Sequence, residues 1–299
     1  MTLIKYRKLT YLISGTLVAL SFLALFIWGL KLGIDFTGGS LLEVEYRISR
    51  PSLDEMNTII NQTGFTNALI QPTGELGFFI RTEHLSEDRH QMLLSVLRGN
   101  DAAKLIEKRF DTIGPTIGQE LKQKSIWAVA LVILLIVLYI AWAFRKVSEP
   151  VASWKYGVAT VIALVHDVMI PVGVFSVLGH FYGIEADTLF VTALLTILGF
   201  SVHDTIVVFD RIRENLKNSR PSIPFETIVG NSISQTITRS INTSFTVLLV
   251  LLSIYFFGGV SVKIFSLALI IGIFFGTYSS ICLASPILVN WNDFSRKKS

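Results

Sequence analysis

The chain has 299 residues, 51% of them hydrophobic and only 16% charged, and its mean hydropathy is +0.58. That balance excludes an ordinary soluble domain and places the chain among multi-spanning membrane proteins. The formal net charge of +4 then marks cytoplasmic loops and not a nucleic-acid partner, and one cysteine, Cys282, rules out an internal disulfide framework.

Crossing a bilayer takes about 20 apolar residues at about 1.5 Å each. After a cytoplasmic N-terminus at residues 1–8, with Lys5, Arg7 and Lys8, the first span covers residues 9–30. It is too long for a signal peptide, and Trp28-Gly29-Leu30-Lys31 lacks a small-residue cleavage pattern, so it reads as a retained anchor. Further spans are expected at 125–144, 156–178, 187–209, 241–257 and 264–288, followed by a cytoplasmic tail at 291–299. Basic residues test this count independently. Lys5, Arg7, Lys8, Arg145, Lys146, Lys155, Arg211, Arg213, Lys217, Arg220, Arg296, Lys297 and Lys298 fall on the side assigned as cytoplasmic, and the short loops opposite contain only Lys263.

Residues 31–124 form the one sizeable aqueous segment, placed outside the cytoplasm between the first two spans. Alternation at Leu42 to Tyr46 predicts a strand, and Ser52 to Gln62 a helix with Ser52 as N-cap and Glu55 completing a capping box. Phe65 to Ile70 and Gly77 to Arg81 read as two more strands, and Glu87 to Arg109 as a helix broken at Gly99-Asn100. The segment therefore reads as a small α+β domain. It carries no metal cluster, nucleophile triad or phosphate loop, and Gly38-Gly39 reads as a tight turn into the first strand.

The chemistry lies in the membrane. Asp204, with His203 beside it, interrupts the fourth apolar run, which ends in the charged cluster Asp210, Arg211, Arg213 and Glu214. An ionised side chain at the membrane centre costs at least about 2.5–3.5 kcal/mol on insertion scales, so a partner or a task must compensate it. Ser201, three residues earlier, shares its helix face. His166-Asp167 sits in the third span, and Gln235, Arg239, Asn242, Thr243 and Thr246 form a polar stripe leading into the fifth, which faces protein or water and not lipid. Structural alternatives exist for each: an interhelical hydrogen bond for Asp204, snorkelling for Arg239, and packing for His166-Asp167 and His203. Packing of spans four and five would bring Asp204 and Arg239 to similar depth. Desolvation favours the protonated acid and a nearby cation the carboxylate, so moving the cation loads or unloads a proton.

GIDFTGGS at Gly33–Ser40, His166-Asp167, VHDTIVVFDRIREN at Val202–Asn215 and QTITRSINTS at Gln235–Ser244 resemble the SecF subunits of the bacterial protein-export machinery, in order and over nearly the whole chain. These subunits are in turn similar to the resistance-nodulation-division transporters. The resemblance implies an α-helical polytopic membrane protein of six transmembrane helices. Its external α+β domain would be ferredoxin-like and lie between helices 1 and 2. The resemblance further implies an obligate SecD partner supplying six more spans, contact with the Sec translocation channel and its accessory subunits, and preprotein substrates. It implies location in the bacterial cytoplasmic (inner) membrane with both termini inside. It assigns proton conduction to Asp204 and Arg239, with no cofactor but protons as coupling ion and no catalytic or metal-binding residue. His166, Asp167, Ser201, His203, Gln235 and Asn242 are supporting polar positions. Asp35, Gly38, Gly39, Asp210, Arg211, Arg213 and Asn215 are motif positions. His203 departs from the family, where Asn often precedes the aspartate.

Two other classes fit parts of the pattern. A proton-driven small-molecule exporter would need a second half. An intramembrane aspartyl protease would pair Asp167 with Asp204, but Ser201-Val202-His203 stands where a GxGD motif needs glycine. The basic loop from Asp210 to Arg239 also offers contact with anionic lipid in the bilayer.

Overall fold

The computed structural model describes residues 2–62, 64–65, 68–99, 101, 104–145, 151–220 and 222–298. Asn100, Lys146 and residues 66–67 of the expected second strand lie outside these. Two compact units emerge: Met1–Lys31 with Ile126–Ser299, and Leu32–Ser125.

The chain opens with α1 (Thr2–Lys5) and α2 (Arg7–Trp28), then enters the smaller unit. There, α3 (Ile34–Thr37) leads through Gly38-Gly39 into β1 (Gly39–Tyr46), followed by α4 (Leu53–Gln62), β2 (Leu69–Thr73), β3 (Gly77–Thr82), α5 (Glu87–Arg98) and β4 (Leu105–Ile113). The antiparallel sheet has the order β2-β3-β1-β4. Alternation in β1 drives Leu42, Val44 and Tyr46 into a core with Met56 and Ile60 of α4 and Leu93, Leu94 and Leu97 of α5. The expected turn at Gly38-Gly39 is present and sterically required. Both glycines have positive φ, and a Cβ would lie 2.8 Å from Pro115 Cα at Gly38 and 2.7 Å from the Thr82 carbonyl oxygen at Gly39.

The capping box forms as read: Ser52 N–H donates to Glu55 Oε2 (2.8 Å) and Glu55 N–H to Ser52 Oγ (3.2 Å). One expectation fails. The helix from Glu87 stops at Arg98, where Gly99 takes φ 59°, and Leu105–Ile113 is a strand paired with β1 from Gly39↔Ile113 to Tyr46↔Leu105. The charged run Glu107-Lys108-Arg109 looked helical locally, but the second edge of β1 supplies a ladder that outweighs local preference. The second strand likewise begins at Leu69 and not at Phe65.

The larger unit continues with α6 (Pro115–Ala143), which starts before its boundary, then α7 (Ser153–Tyr182), α8 (Thr188–Asn218), α9 (Phe225–Phe257) and α10 (Val260–Ser279). A π turn at Ser280–Ala284 joins α10 to α11 (Ser285–Lys298). Among the described residues, six helices are long and apolar enough to cross a membrane: α2, α6, α7, α8, α9 and the joined α10–α11. Of their most apolar windows, 50% is buried in α7, 50% in α8 and 56% in α10–α11, against 17%, 6% and 17% in α2, α6 and α9, so the first three form the centre.

Small residues let these helices approach. A Cβ on Gly272 of α10 would sit 2.1 Å from Ile197 Cδ1 of α8, and one on Gly173 of α7 would sit 2.4 Å from Ser21 Cβ of α2. Asp187 caps α8 by accepting from Phe190 N–H at 2.8 Å. Helix α9 begins at Phe225, well before the apolar run at Ile241, because Phe225, Ile228, Val229 and Ile233 bury a face of its polar first half. The π turn also has a local cause. Pro286 cannot donate to the carbonyl of Cys282, and Thr10 Oγ1 from α2 donates to that oxygen instead, at 2.9 Å.

Candidate functional site

The central helices gather two carboxyl groups. Asp167 of α7 is completely buried. Its Oδ1 meets His166 Nδ1 at 2.8 Å, and its Oδ2 accepts from Ser201 Oγ of α8 at 2.5 Å and from Ser279 Oγ of α10 at 2.7 Å. Both oxygens are therefore held, each helix of the centre contributing. Gly276 makes room: a Cβ there would lie 3.2 Å from Ser201 Cβ and 3.6 Å from Asp167 Oδ2. Pro171 has no N–H to return to the Asp167 carbonyl four residues earlier, which loosens α7 at the level of the site.

Asp204 is placed differently. It is buried, and its Oδ1 accepts from Ser240 Oγ of α9, but its Oδ2 has no hydrogen-bond partner among the described residues. His203 precedes it in the chain, and Arg239 precedes its hydrogen-bond donor Ser240. Thr205 and Ser280 continue the polar seam, their hydroxyls 2.8 Å apart.

The partner expected for Asp204 was Arg239; the direct bond comes from the next residue, Ser240. Arg239 is exposed, as are His203, Asn242, Thr243 and Thr246. It lines a cavity of about 300 Å³ with Asp210, Arg211, Glu214 and Gln235. Helix α9 turns toward its neighbours a different stripe, Ser232, Thr236, Ser240 and Ser244, each buried. Ser232 Oγ accepts from Asn215 Nδ2 (2.8 Å), and the hydroxyls of Ser244 and Thr277 lie 2.5 Å apart. This stripe of small hydroxyls every fourth residue was the signal missed in the sequence, as were Ser279, Ser280 and Gly276.

The charged end of α8 clamps the start of α9. Gln235 Oε1 accepts from Arg211 Nε at 2.6 Å and from Asn215 Nδ2 at 2.9 Å. Arg211 pairs with Glu214 and Arg213 with Asp210, each at 2.6 Å. Asp35, in the first turn of α3, and Gly38 and Gly39 belong to the smaller unit. Among the described residues, no cluster of three or more His, Cys, Asp or Glu could hold a metal ion.

Two family descriptions match this chain: the SecD/SecF GG motif at residues 23–47, and the C-terminal part of the protein export membrane protein SecD/SecF at residues 93–293. The chain belongs to the SecD/SecF family. It is 42% identical to the protein translocase subunit SecF of Thermobaculum terrenum, over 98% of this chain and 95% of that one. It is 41% identical to SecF of Anaerolinea thermophila, over 95% and 92%. The translocase subunit SecDF of Thermus thermophilus is 36% identical over 95% of this chain but only 38% of its own length. A crystal structure of a Thermus SecDF, described as a translocon-associated membrane protein, superposes with a TM-score of 0.85 at 34% identity. The match covers 98% of this chain and 39% of that one. This SecD/SecF-family chain is thus a multi-pass membrane protein that spans the length of the SecF relatives and well under half of the fused SecDF chain.

Proposed function

We propose that this chain is the SecF-type subunit of a bacterial protein-export complex, which uses the proton gradient with a SecD-type partner to promote preprotein movement across the inner membrane. In this reading both termini are cytoplasmic. The sheet unit is an extracytoplasmic, ferredoxin-like domain, and protons are the coupling ion with no cofactor. The SecDF relative, whose one chain is much longer than this one, supports a SecD-type partner; the translocation channel, its accessory subunits and the preprotein are the further expected contacts.

The observation that carries the coupling is the half-bonded carboxyl of Asp204. Ser240 Oγ serves as donor to a carboxylate or as acceptor from a carboxylic acid, so that contact survives either protonation state. The second oxygen is left for the proton. Arg239 is the movable counter-charge: near Asp204 it favours the carboxylate, and its withdrawal favours the acid. His203, exposed beside them, adds an imidazole next to the carboxyl. A conformational change that moves α9 against α8 would then exchange a proton between two aqueous sides.

The test is gradient-dependent export of a reporter preprotein by membrane vesicles depleted of the native subunit and supplied with this chain. Asp204→Asn keeps size and hydrogen bonding but removes titration. Export that loses its response to the proton gradient while the variant still assembles supports the reading. An unchanged response sinks it.

A further inference from the structure

Beside the polar centre lies a groove that the Asp204 reading does not use. A groove of about 860 Å³ runs between α2, α7 and α11. Its walls are largely aliphatic and aromatic, and its polar groups are Tyr11 and Ser14 of α2, Asn290 of α11 and His166 of α7. His166 is 2% exposed. With Nδ1–H donated to Asp167 Oδ1, the other ring nitrogen, Nε2, carries a lone pair, and it has no hydrogen-bond partner among the described residues. A buried polar atom left unpaired is costly, and this one belongs to a side chain that lines a cavity large enough for water.

We propose that His166 and Asp167 form a second proton-holding site, loaded from this groove through His166 Nε2. This rests on the proton-coupled reading of Asp204 and extends it. A hydronium ion reaching the groove gives its proton to the Nε2 lone pair and leaves as water; the imidazolium is then balanced by the Asp167 carboxylate on Nδ1. Unloading reverses the step into groove water. The site communicates with Asp204 in two ways. Ser201, bonded to Asp167 Oδ2, lies three residues from Asp204 on α8, and two carboxyls buried in one helix centre disfavour each other's charged form. A proton on one dyad therefore changes what the other carboxyl will hold.

Other titratable groups surround His166. From α2 comes Tyr11, whose hydroxyl accepts from Asn290 at 3.0 Å. From α10 comes Tyr278, whose ring stacks 6.0 Å from the imidazole, and Cys282 follows in the π turn. Asp204 comes from α8. Arg7 of α2 is paired with Glu226 at 3.2 Å and with Asp293 at 3.0 Å. Of these, only His166 joins an imidazole to a buried ring nitrogen without a hydrogen-bond partner among the described residues.

The test uses the full chain reconstituted with its SecD-type partner in vesicles containing a pH-sensitive dye. Proton flux is followed across external pH for wild type, His166→Gln, Gly15→Leu and Asp204→Asn. Gly15 lines the groove with open space beside its Cα, so leucine fills the groove and leaves the dyad intact. The expected result is a fall of about tenfold or more near neutral pH for His166→Gln, the scale of a lost acid–base group, with loss of one ionisation from the profile. Gly15→Leu should reproduce the fall. In 15N spectra of the histidine-labelled complex, His166 Nε2 should titrate, and Asp204→Asn should move its midpoint. Unchanged flux and profile in both groove variants, with Asp204→Asn abolishing flux, overturns the second site and leaves the Asp204 reading standing. If Asp204→Asn also leaves flux unchanged, both fall. Should His166→Gln fail to assemble, Gly15→Leu and the wild-type titration decide.

Discussion

Asp167 and Asp204 are both aspartates buried among the same helices, yet one is saturated and the other half open. Three side chains on α7, α8 and α10 grip Asp167, whereas a single hydroxyl from α9 holds Asp204. The helices explain the difference. The centre of α7, α8 and α10 is closed by glycine contacts such as Gly272 on Ile197, while α9 leaves Arg239, Asn242, Thr243 and Thr246 on an exposed face. A saturated carboxyl fixes a helix junction; a half-bonded one has an oxygen left over for a change of state. That a membrane protein leaves a charged and polar stripe uncovered also points to a partner surface, since lipid is a poor neighbour for it.

The largest expected effect sharpens that contrast. Asp167→Ala leaves His166, Ser201 and Ser279 without their acceptor at a buried position, for a loss of about 2–4 kcal/mol. Asp204→Ala removes one bond and should cost about 1 kcal/mol. Reversible unfolding of the purified complex in mixed micelles compares them; equal losses would break the distinction. A smaller effect is expected at the closure itself. Gly272→Ala drives a methyl into Ile197 and should cost about 1–3 kcal/mol, with Ile197→Ala relieving most of it in the double variant. Additive losses would mean that the two helices are not held by that contact.

How far the sequence carried the site follows from the same contrast. Hydropathy pointed to the six helices that, among the described residues, are long and apolar enough to cross a membrane, because a bilayer imposes length and apolarity on each helix separately. Charge out of place found Asp204 and Asp167. The groups that bond them stayed hidden: Ser240, Ser279 and Gly276 are unremarkable residues in apolar runs, and only helix packing gives them a partner. Arg239 drew attention by its charge, and the chain places the neutral Ser240 on the carboxyl instead. In the sheet unit the capping box was legible because its partners are three residues apart, whereas β4 was not, because its partner strand β1 lies far away in the chain.

A third carboxyl, fully in water, sets the scale for the other two and gives the smallest effect. Glu55 is exposed, and the Ser52 backbone N–H, with help from the Ser52 hydroxyl, holds its carboxyl below the usual range. Because the folded value is the lower one, the contribution to α4 is complete above the unfolded value, about 4.3, and disappears as pH falls through the folded value. Hydrogen exchange of the α4 amides in the full chain should therefore speed up as pH drops below about 4 beyond the intrinsic trend. In Glu55→Gln that pH dependence should vanish. Ser52→Ala should weaken the same amides by about 1 kcal/mol at neutral pH. Exchange in α4 that is flat in pH for wild type would mean that the reciprocal bonds do not persist in solution. Only bonds shut away from water, as at Asp167, would then hold a carboxyl in place in this protein.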